Sequence, residues 1–426
     1  MRVVYLISSL QIAIFIGLWI YYSTDSLYKC PCKRYNQSFP IAKSSGFMIN
    51  FVIFCTILSS SHIWKRLCYI SSDTFRRIHF LHFFWLTLFS VVHVTAHIIN
   101  FTRLNGPIIN GASITGMVLI ITILTLGFFY KLITYSYKYF VHMHIFVVVV
   151  LFITVSIHGS FCSIRYTLQT CPTPTSWVWI LCGTIIYICN FFYKQVYVKD
   201  SDYKIISDDV IRLQLDLSNK YQGKTIWILV PNINIWEWHP FTVVKSNNND
   251  QCCLYIKRRG DWTGSLIELV NHNVSMNLLT NGPYKTLPDD FDLFLFSKYT
   301  VLIASGTGIT SFLNVINRQN SFRKLTFVVI VRNRSELSLV CNLLENQSVN
   351  FIFYITADTK ENTENTENVT YHLGRPDFKD LFDIILLKTL FDESNKIPVV
   401  FSGSSSVYNT IKRVSLQYDT FHISCL

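Results

Sequence analysis

The sequence predicts two unlike halves: a bundle of six membrane-spanning helices, followed by a water-soluble module made of a β-barrel and an α/β domain. Half of the 426 residues are apolar, and the mean hydropathy is positive. Only 15% of the residues are charged, and most of these follow residue 195. This change in composition is typical of a membrane domain fused to a soluble one.

Six apolar segments in the first half match a hydrocarbon core that needs about 20 residues per helix. None of them contains Asp or Glu. The first is too long for the apolar part of a signal peptide and lacks a small-residue cleavage site, so it is also predicted to be a helix. The segments are Val3 to Tyr22, Phe47 to Trp64, Ile78 to Phe101, Ala112 to Tyr130, Phe140 to His158 and Trp177 to Phe192.

Six crossings place both termini on one side, and the positive-inside rule favours the cytosol by a narrow margin. Two sequons, Asn36-Gln37-Ser38 and Asn100-Phe101-Thr102, fall in predicted outer loops. Cys162 and Cys171 lie in another outer loop and could form a disulfide. We therefore expect a multi-pass protein, in the plasma membrane, with both termini cytosolic. The expected outer basic residues are Lys29, Lys33, Arg34, Lys43, Arg103 and Arg165.

Histidines recur at matched intervals in the third and fifth segments. His79 and His93 are 14 residues apart, as are His144 and His158. Fourteen residues return to nearly one face of a helix, roughly 21 Å further along. Two such helices side by side would offer two layers of paired imidazoles, which suits two bis-histidine haems stacked across a bilayer. A lone intramembrane histidine could instead hydrogen-bond a neighbouring helix, but the matched spacing favours haem.

On this hypothesis His79 and His144 hold an inner haem, and His93 and His158 hold an outer one. His97 lies one turn beyond His93, where it could donate a proton or hydrogen bond to an acceptor. The remaining histidines of this region are interpreted as interfacial: His62, His82 and His142.

Two motifs in the second half suit a flavin. Alternating segments predict barrel strands at Asp209 to Leu217, Lys224 to Val230 and Cys253 to Lys257. Trp238-His239-Pro240-Phe241-Thr242 alone could be an edge strand with a proline. Together with Ile256-Lys257-Arg258-Arg259-Gly260-Asp261-Trp262-Thr263, it supplies aromatic, hydroxyl and basic groups for a flavin and its pyrophosphate.

A nucleotide site is predicted further on. The strand Tyr299 to Ala304 leads into Ser305-Gly306-Thr307-Gly308-Ile309-Thr310 and then a helix, an arrangement that lets backbone approach a phosphate. A plain tight turn would look the same. The strand Leu325 to Val331 ends at Arg332-Asn333-Arg334, where a guanidinium could bind a 2′-phosphate; solvated loop arginines are the alternative. Glu361 to Glu367 is interpreted as a disordered polar insert.

These residues resemble the superoxide-generating NADPH oxidases, within the ferric reductase superfamily, along almost the whole chain. Further matching motifs are Ile157-His158-Gly159, Cys171-Pro172-Thr173-Pro174, Trp177-Val178-Trp179-Ile180, Gly282-Pro283-Tyr284 and Gly374-Arg375-Pro376. The resemblance implies a six-helix haem domain fused to a ferredoxin-reductase-like module. It implies FAD contacts at His239, Pro240, Phe241, Thr242, Lys257, Trp262 and Thr263, and NADPH contacts at Gly306, Thr307, Gly308, Thr310, Arg332, Arg334 and Gly403.

Several positions depart from the family pattern. Ser311 replaces a proline, Ser402 replaces the cysteine before Gly403, and the sequence stops at Leu426 without the terminal aromatic residue that covers the flavin. Hydride transfer could therefore be slower or differently gated. The arginine expected on the second helix near the outer haem is not evident in Cys55 to Ser60, which weakens the case for oxygen as acceptor; His97 favours it.

The expected organisation is a membrane haem domain at 1–195, an FAD-binding β-barrel at 196–295 and an NADPH-binding α/β domain at 296–426. The expected function is electron transfer from cytosolic NADPH, through FAD and two b-type haems, to dioxygen outside, which forms superoxide. The alternatives are a ferric-chelate reductase and a catalytically silent haem subunit. Because no calcium-binding or peroxidase domain precedes the first helix, control is expected to come from regulatory subunits in the membrane or the cytosol, from the dispersed basic loops, or from the membrane itself. Nucleic acid is not expected, since the net charge of +11 is dispersed.

Overall fold

The computed structural model separates the chain into two compact units, with the main division between residues 193 and 194. The first unit carries the apolar helices, and the second carries the strands. The described residues are 2–24, 38–61, 72–103, 111–129, 137–165, 176–192, 195–198, 202–235, 237–245, 252–286, 297, 299–317, 324–340, 349–357, 366, 368–389 and 397–425.

The described part of the first unit contains six helices, as predicted. Five are long and apolar enough to cross a membrane. The sixth has 17 residues and spans about 25 Å, at the short end for a crossing. The helices are α1 (Arg2–Thr24), α2 (Ser38–Ser60), α3 (Ser72–Arg103), α4 (Gly111–Phe129), α5 (Tyr137–Arg165) and α6 (Ser176–Phe192).

Helix α2 begins nine residues before its predicted start at Phe47. Pro40 lies in its first turn, where the missing N–H breaks no helical hydrogen bond. Ser44 and Ser45 donate hydrogen bonds to the carbonyls of Pro40 and Ile41, both at 2.7 Å. Because these hydroxyls are satisfied within the helix, this polar stretch can lie at membrane depth. Lys43, predicted to lie in an outer loop, is therefore part of α2.

The predicted loop around the second sequon is also wrong. Asn100 lies inside α3 and is only 9% exposed, so it does not have the accessible loop position that glycosylation needs, and it gives no support for the orientation. Asn36 and Gln37 of the first sequon lie outside the described residues. The same is true of Cys171 and hence of its predicted pairing with Cys162.

The interior of the helical unit is apolar and aromatic. Met48 and Val52 of α2 pack with Phe89 of α3 and Leu151 of α5 in one cluster. The outward faces are equally apolar, with Ile121, Leu124 and Phe146 exposed. A bundle that is apolar inside and outside is suited to a lipid environment.

The second unit begins with two four-stranded antiparallel sheets. One has the order β1-β8-β4-β5 and the other β2-β3-β7-β6, with α7 (Asp261–Asn271) packed into their shared apolar core. The predicted strands are confirmed to within two residues at each end. The strands are β1 (Gln195–Val198), β2 (Tyr203–Ser207), β3 (Val210–Leu215), β4 (Lys224–Leu229), β5 (His239–Thr242), β6 (Val244–Lys245), β7 (Cys252–Lys257) and β8 (Leu278–Lys285).

A six-stranded parallel sheet follows, in the order β12-β11-β10-β9-β13-β14. Its central strands are buried along almost their whole length, as expected when helices cover both faces. The strands are β9 (Tyr299–Ser305), β10 (Lys324–Val331), β11 (Val349–Ile355), β12 (Val369–Leu373), β13 (Ile397–Ser402) and β14 (Phe421–Cys425). The helices are α8 (Thr310–Asn317), α9 (Phe378–Thr389) and α10 (Ser405–Ser415). The predicted fold class, a membrane helical domain plus a ferredoxin-reductase-like module, is confirmed.

Strand β9 marks the point where the strand order reverses. The chain moves outward from β9 through β10 and β11 to β12, and then returns to place β13 on the other side of β9. In open α/β sheets, ligands bind beyond the carboxyl ends of the strands at such a reversal. The polar insert predicted at Glu361 to Glu367 lies outside the described residues apart from Thr366, which bridges to Val369.

Candidate functional site

The four spaced histidines face each other in two pairs across α3 and α5. The ring centres of His79 and His144 are 6.5 Å apart. Those of His93 and His158 are 6.2 Å apart. Since 14 residues separate the members on each helix, the two pairs lie about 21 Å apart along the helix axes.

These separations fit two imidazoles on opposite sides of one iron atom. On each side of the metal, a metal–nitrogen bond of about 2 Å and about 1 Å from the nitrogen to the ring centre add to about 3 Å, so the two ring centres are about 6 Å apart. The donor set is also appropriate, because paired neutral imidazoles are established axial ligands of haem iron.

Hydroxyl and carbonyl groups orient three of the four rings through Nδ1. The Nδ1 of His79 lies 3.1 Å from the Ser59 hydroxyl, and that of His158 lies 2.9 Å from the Thr115 hydroxyl. The Nδ1 of His93 lies 3.0 Å from the carbonyl oxygen of Ala42. An Nδ1–H that donates to oxygen leaves the Nε2 lone pair available for a metal.

The remaining histidines occupy different surroundings. His97 lies beside the second pair, with its ring centre 4.5 Å from that of His93. His82 is 5% exposed, and its Nδ1 lies 3.2 Å from the Ile78 carbonyl of its own helix; its interpretation as interfacial stays a prediction. His142 is exposed, and His62 lies outside the described residues.

The resemblance implies a basic residue on α2 near the outer haem, whose expected position is Cys55 to Ser60. The structure shows that a different turn of α2 lies beside the second histidine pair. Ser59 contacts His79, so Cys55 to Ser60 lie beside the first histidine pair. The turn beside the second pair is the early one, where Ala42 contacts His93. Lys43 lies on this turn and interacts electrostatically with His97. The sequence therefore has a basic residue there, in the stretch that composition predicts to be a loop.

The flavin motifs come together on the barrel. β5 pairs with β4 alone within its described sheet, and its Pro240 is exposed, as suits an edge strand. The ring of His239 lies 4.2 Å from that of Trp262, and Phe241 stacks on the same indole at 6.1 Å. Trp262 is buried, and its Nε1 has no hydrogen-bond partner among the described residues. A buried donor of this kind is consistent with a ligand that accepts the bond.

Burial lowers the pKa of His239, and the Glu237 carboxylate, 3.7 Å from its Nε2, opposes this effect. Burial is the larger influence, so the imidazole is neutral at pH 7. A neutral ring can stack on an aromatic surface without the cost of burying a charge.

An open cavity of about 560 Å³ lies at the amino end of α7. Backbone N–H groups and the helix dipole there favour an anion. Thr263 does not face the cavity with a free hydroxyl: its Oγ1 accepts hydrogen bonds from the backbone of Arg259 at 2.8 Å and Gly260 at 3.1 Å. Thr263 thus fixes the turn that shapes the cavity. The lining residues are Arg258, Arg259, Gly260, Asp261, Gly264, Ser265 and Glu268.

Lys257 is held by a carboxylate that sequence reasoning missed. Its Nζ lies 3.0 Å and 3.2 Å from the two carboxylate oxygens of Glu336, and Glu336 is 2% exposed. The same ammonium group lies close to the glycine turn, 3.7 Å from where a Cβ of Gly306 would be. Lys257 therefore lies between the barrel and the nucleotide turn, rather than at the α7 cavity.

The glycine turn lies at the strand reversal. Gly308 packs so closely on β13 that an added Cβ would overlap the carbonyl oxygen of Ser402. Gly403, at φ 156°, continues this contact. Two of the departures from the family pattern also meet here, since the Ser402 hydroxyl donates to that of Ser311 at 3.3 Å. Thr307 lies in the 3₁₀ turn Gly306–Ile309, and the Thr310 hydroxyl donates back to the Thr307 carbonyl at 2.8 Å.

Arg332 lies at the carboxyl end of β10, on the other side of β9. It is exposed and lies 4.0 Å from Asp209 of the β2–β3 turn, and both line a cavity of about 230 Å³. Arg334 begins the short 3₁₀ turn Arg334–Leu339. Glu336 and Asp209 gave no sequence signal, because both reach the site through the packing of distant segments.

Both parts of the second unit match families of known proteins. The family description "FAD-binding domain" matches residues 195–287, and "Ferric reductase NAD binding domain" matches residues 297–416. A solved structure of ferredoxin NADP+ reductase from Neisseria gonorrhoeae, with bound FAD and NADP, is 13% identical over 55% of this chain and 98% of that chain, with a TM-score of 0.40.

Three curated relatives share sequence with the chain. NADPH oxidase 3 of Homo sapiens is 24% identical over 63% of this chain and 56% of its own length. A superoxide-generating NADPH oxidase heavy chain of Dictyostelium discoideum is 21% identical over 94% of this chain and 69% of its own. Ferric reduction oxidase 4 of Arabidopsis thaliana is 34% identical over 25% of this chain and 16% of its own. The chain spans about half the length of the human relative.

The fold and the matched domains define a membrane protein with a reductase module that binds FAD and a nicotinamide nucleotide. More specifically, the chain belongs to the NADPH oxidase family, within the ferric reductase superfamily.

Proposed function

We propose that the chain carries electrons from cytosolic NADPH across a membrane to dioxygen, with superoxide as product. The observation that carries this proposal is the pair of facing histidine couples, at 6.5 Å and 6.2 Å, on two apolar helices of a chain with an FAD and NAD(P) reductase module. The module supplies electrons, and the couples provide the means to pass them through lipid.

His79 and His144 would hold one b-type haem, and His93 and His158 the other. When bound, FAD accepts a hydride from NADPH and releases electrons singly, which haem iron can accept. The hydroxyls of Ser59 and Thr115 fix the orientation of the imidazoles that they contact, which raises ligand basicity and restricts rotation of those rings.

In the reductase module, His239, Pro240, Phe241, Thr242, Trp262 and Thr263 would form the flavin site, with the pyrophosphate at the amino end of α7. The crevice at the strand reversal, with Gly306, Thr307, Gly308 and Gly403, would receive NADPH, and Arg332 and Arg334 would contact its 2′-phosphate. We place Lys257 with the nucleotide turn. The proposed domains are 1–195, 196–295 and 296–426, in a plasma-membrane protein with cytosolic termini.

The surroundings of the second histidine pair favour dioxygen as acceptor. His97 is next to His93, and Lys43 interacts with His97. The Lys43 ammonium and an N–H of the His97 imidazole would stabilise an anion as it forms, and the effect is strong at membrane depth because water is excluded. Superoxide is such an anion. The candidate catalytic group is thus His97, supported by Lys43.

The acceptor can be tested with the full chain in lipid nanodiscs, supplied with haem, FAD and NADPH. Superoxide is measured as dismutase-sensitive reduction of cytochrome c. We expect His97→Leu and Lys43→Gln each to lower this rate about tenfold while NADPH still reduces the haems. His142→Leu, an exposed position on α5, is the control and should have no effect. Wild-type haem reduction without superoxide would reject dioxygen as acceptor.

A ferric-chelate reductase is the second candidate, favoured by the likeness to ferric reduction oxidase 4 of Arabidopsis thaliana. In the same nanodiscs under argon, this function predicts rapid NADPH-dependent formation of ferrous iron from a ferric chelate. The rate should then be insensitive to Lys43→Gln. If NADPH reduces neither the haems nor the chelate, the result favours a catalytically silent haem subunit. The function of the chain would then be to serve as a partner of other subunits.

A further inference from the structure

We propose that Asp209, from the barrel, reduces the selectivity of this chain for NADPH over NADH by holding Arg332 and repelling a 2′-phosphate. The inference rests on the proposed function, in that the strand reversal must bind a nicotinamide dinucleotide. It adds a specificity-determining residue that lies about 120 residues before Arg332 in the sequence.

The backbone of Arg332 is fixed at the end of the parallel sheet. Its carbonyl accepts a hydrogen bond of 3.0 Å from the Ala357 N–H, and the preceding Val331 carbonyl accepts one of 3.0 Å from Thr356. The Arg332 side chain is 67% exposed. In this position the guanidinium can bind either a nucleotide phosphate or a protein carboxylate, so the two groups compete for it.

Asp209 is equally well placed from the other side. It ends the turn between β2 and β3, and its carbonyl accepts a hydrogen bond of 2.8 Å from the Arg258 N–H. Its carboxylate lies 4.0 Å from the Arg332 guanidinium. The anchored backbone keeps this carboxylate within reach of the guanidinium.

The charges lining the 230 Å³ cavity do not favour a dianion. Its ionisable residues are Asp208, Asp209, Glu336 and Arg332. Glu336 is neutralised by Lys257, so among the residues that line this cavity two aspartates remain with one arginine. A phosphomonoester brings a charge of about −1.5 to −2, whereas the ribose hydroxyl of NADH is neutral and can donate a hydrogen bond to a carboxylate.

The size of the effect follows from the exposure of the pair. Solvent-exposed charges about 4 Å apart interact weakly, and salt screens them further. We expect removal of the Asp209 charge to strengthen binding of a 2′-phosphate about fivefold at low ionic strength, and less at high salt.

The test uses the full chain in detergent with FAD, and two probes, 2′,5′-ADP and 5′-AMP, whose binding is measured by calorimetry. In Asp209→Asn, the affinity for 2′,5′-ADP should rise about fivefold at 20 mM salt, with less than a twofold change for 5′-AMP, and the gain should shrink at 300 mM salt. Asp209→Ser repeats the measurement with a smaller side chain. Asp216→Asn, an exposed carboxylate outside the cavity, is the control and should change neither affinity.

Equal changes for both probes, or no change in either Asp209 variant, would overturn the inference and leave the proposed function standing. If the wild-type chain binds neither probe and NADPH reduces no dye through its flavin, the proposed function fails and the inference fails with it.

Discussion

The two units of this chain place their functional groups in contrasting ways. In the helical unit, four side chains of one type, on two helices, make both candidate haem sites, and their spacing repeats on each helix. In the reductase unit, each candidate site joins turns from distant segments, such as Lys257 with Glu336 and Gly308 with Ser402. The regular spacing of residues on a helix is enough to bring the side chains of a site together. A site at the edge of a sheet forms only when distant segments have folded against each other.

Loss of a haem ligand should have the largest effect. His144→Leu is expected to remove the haem held by His79 and His144. NADPH-dependent superoxide formation should fall at least a hundredfold, because the electron path across the membrane then lacks one of its two haems. The measurement is the reduced-minus-oxidised spectrum of the purified protein together with turnover. His142→Leu, two residues away on the same helix, should retain both haems. A full haem complement in His144→Leu would exclude this ligand pair.

The glycine turn should come next. In Gly308→Ala the new Cβ would overlap the Ser402 carbonyl, and relieving such a clash costs about 1–3 kcal/mol. NADPH-driven dye reduction should fall about tenfold or more, whereas the haem spectrum, which depends on the other unit, should not change. Parallel loss of haem would show that the two units do not respond separately.

Removal of the guanidinium should change nucleotide choice rather than chemistry. Arg332→Ala should raise the KM for NADPH about tenfold, since a charge-assisted phosphate contact is lost, and should leave the KM for NADH within twofold. Steady-state dye reduction with each nucleotide provides the measurement. Arg413→Ala, on the exposed last turn of α10, is the control. Equal rises for both nucleotides would assign Arg332 a structural role.

A small effect is expected from the partly buried imidazole of His239 in the barrel. The pKa of His239 is lowered by burial, so the unfolded chain binds its proton at a higher pH than the folded one. The contribution of His239 to the free energy of unfolding should therefore be fully present above about pH 6.5. It should be lost, by under about 1 kcal/mol, as the pH drops towards the folded pKa. Thermal unfolding between pH 5 and 7.5 should show a shallower slope in His239→Gln. Identical slopes would contradict this.

The same contrast explains what the sequence alone could predict. The 14-residue spacing of His79 and His93 is enough to place them on one face of a helix, because helix geometry is regular. The strand-then-glycine pattern at Tyr299 to Gly308 locates the nucleotide turn for the same local reason. The sequence could not predict three other groups, because each acts through tertiary contacts that no local pattern encodes. They are Asp209, Glu336 and the Ser59 hydroxyl that contacts His79.

The limits of the helical elements are the weakest predictions. Composition predicts a loop for the polar residues at the start of α2, because it does not reveal the side-chain to backbone hydrogen bonds of Ser44 and Ser45. That error conceals Lys43 beside His97. The sequon at Asn100 suggests a loop for a similar reason, although the surrounding residues continue α3.

The most direct test of the electron path is anaerobic reduction of the haems in the purified full chain. With FAD present, addition of NADPH should reduce both haems, seen as a complete bis-histidine α-band, and FAD should be required for this. Rapid NADPH-dependent reduction of an added dye while the haems remain oxidised would contradict the account, because the reductase module would then work without delivering electrons to the histidine pairs.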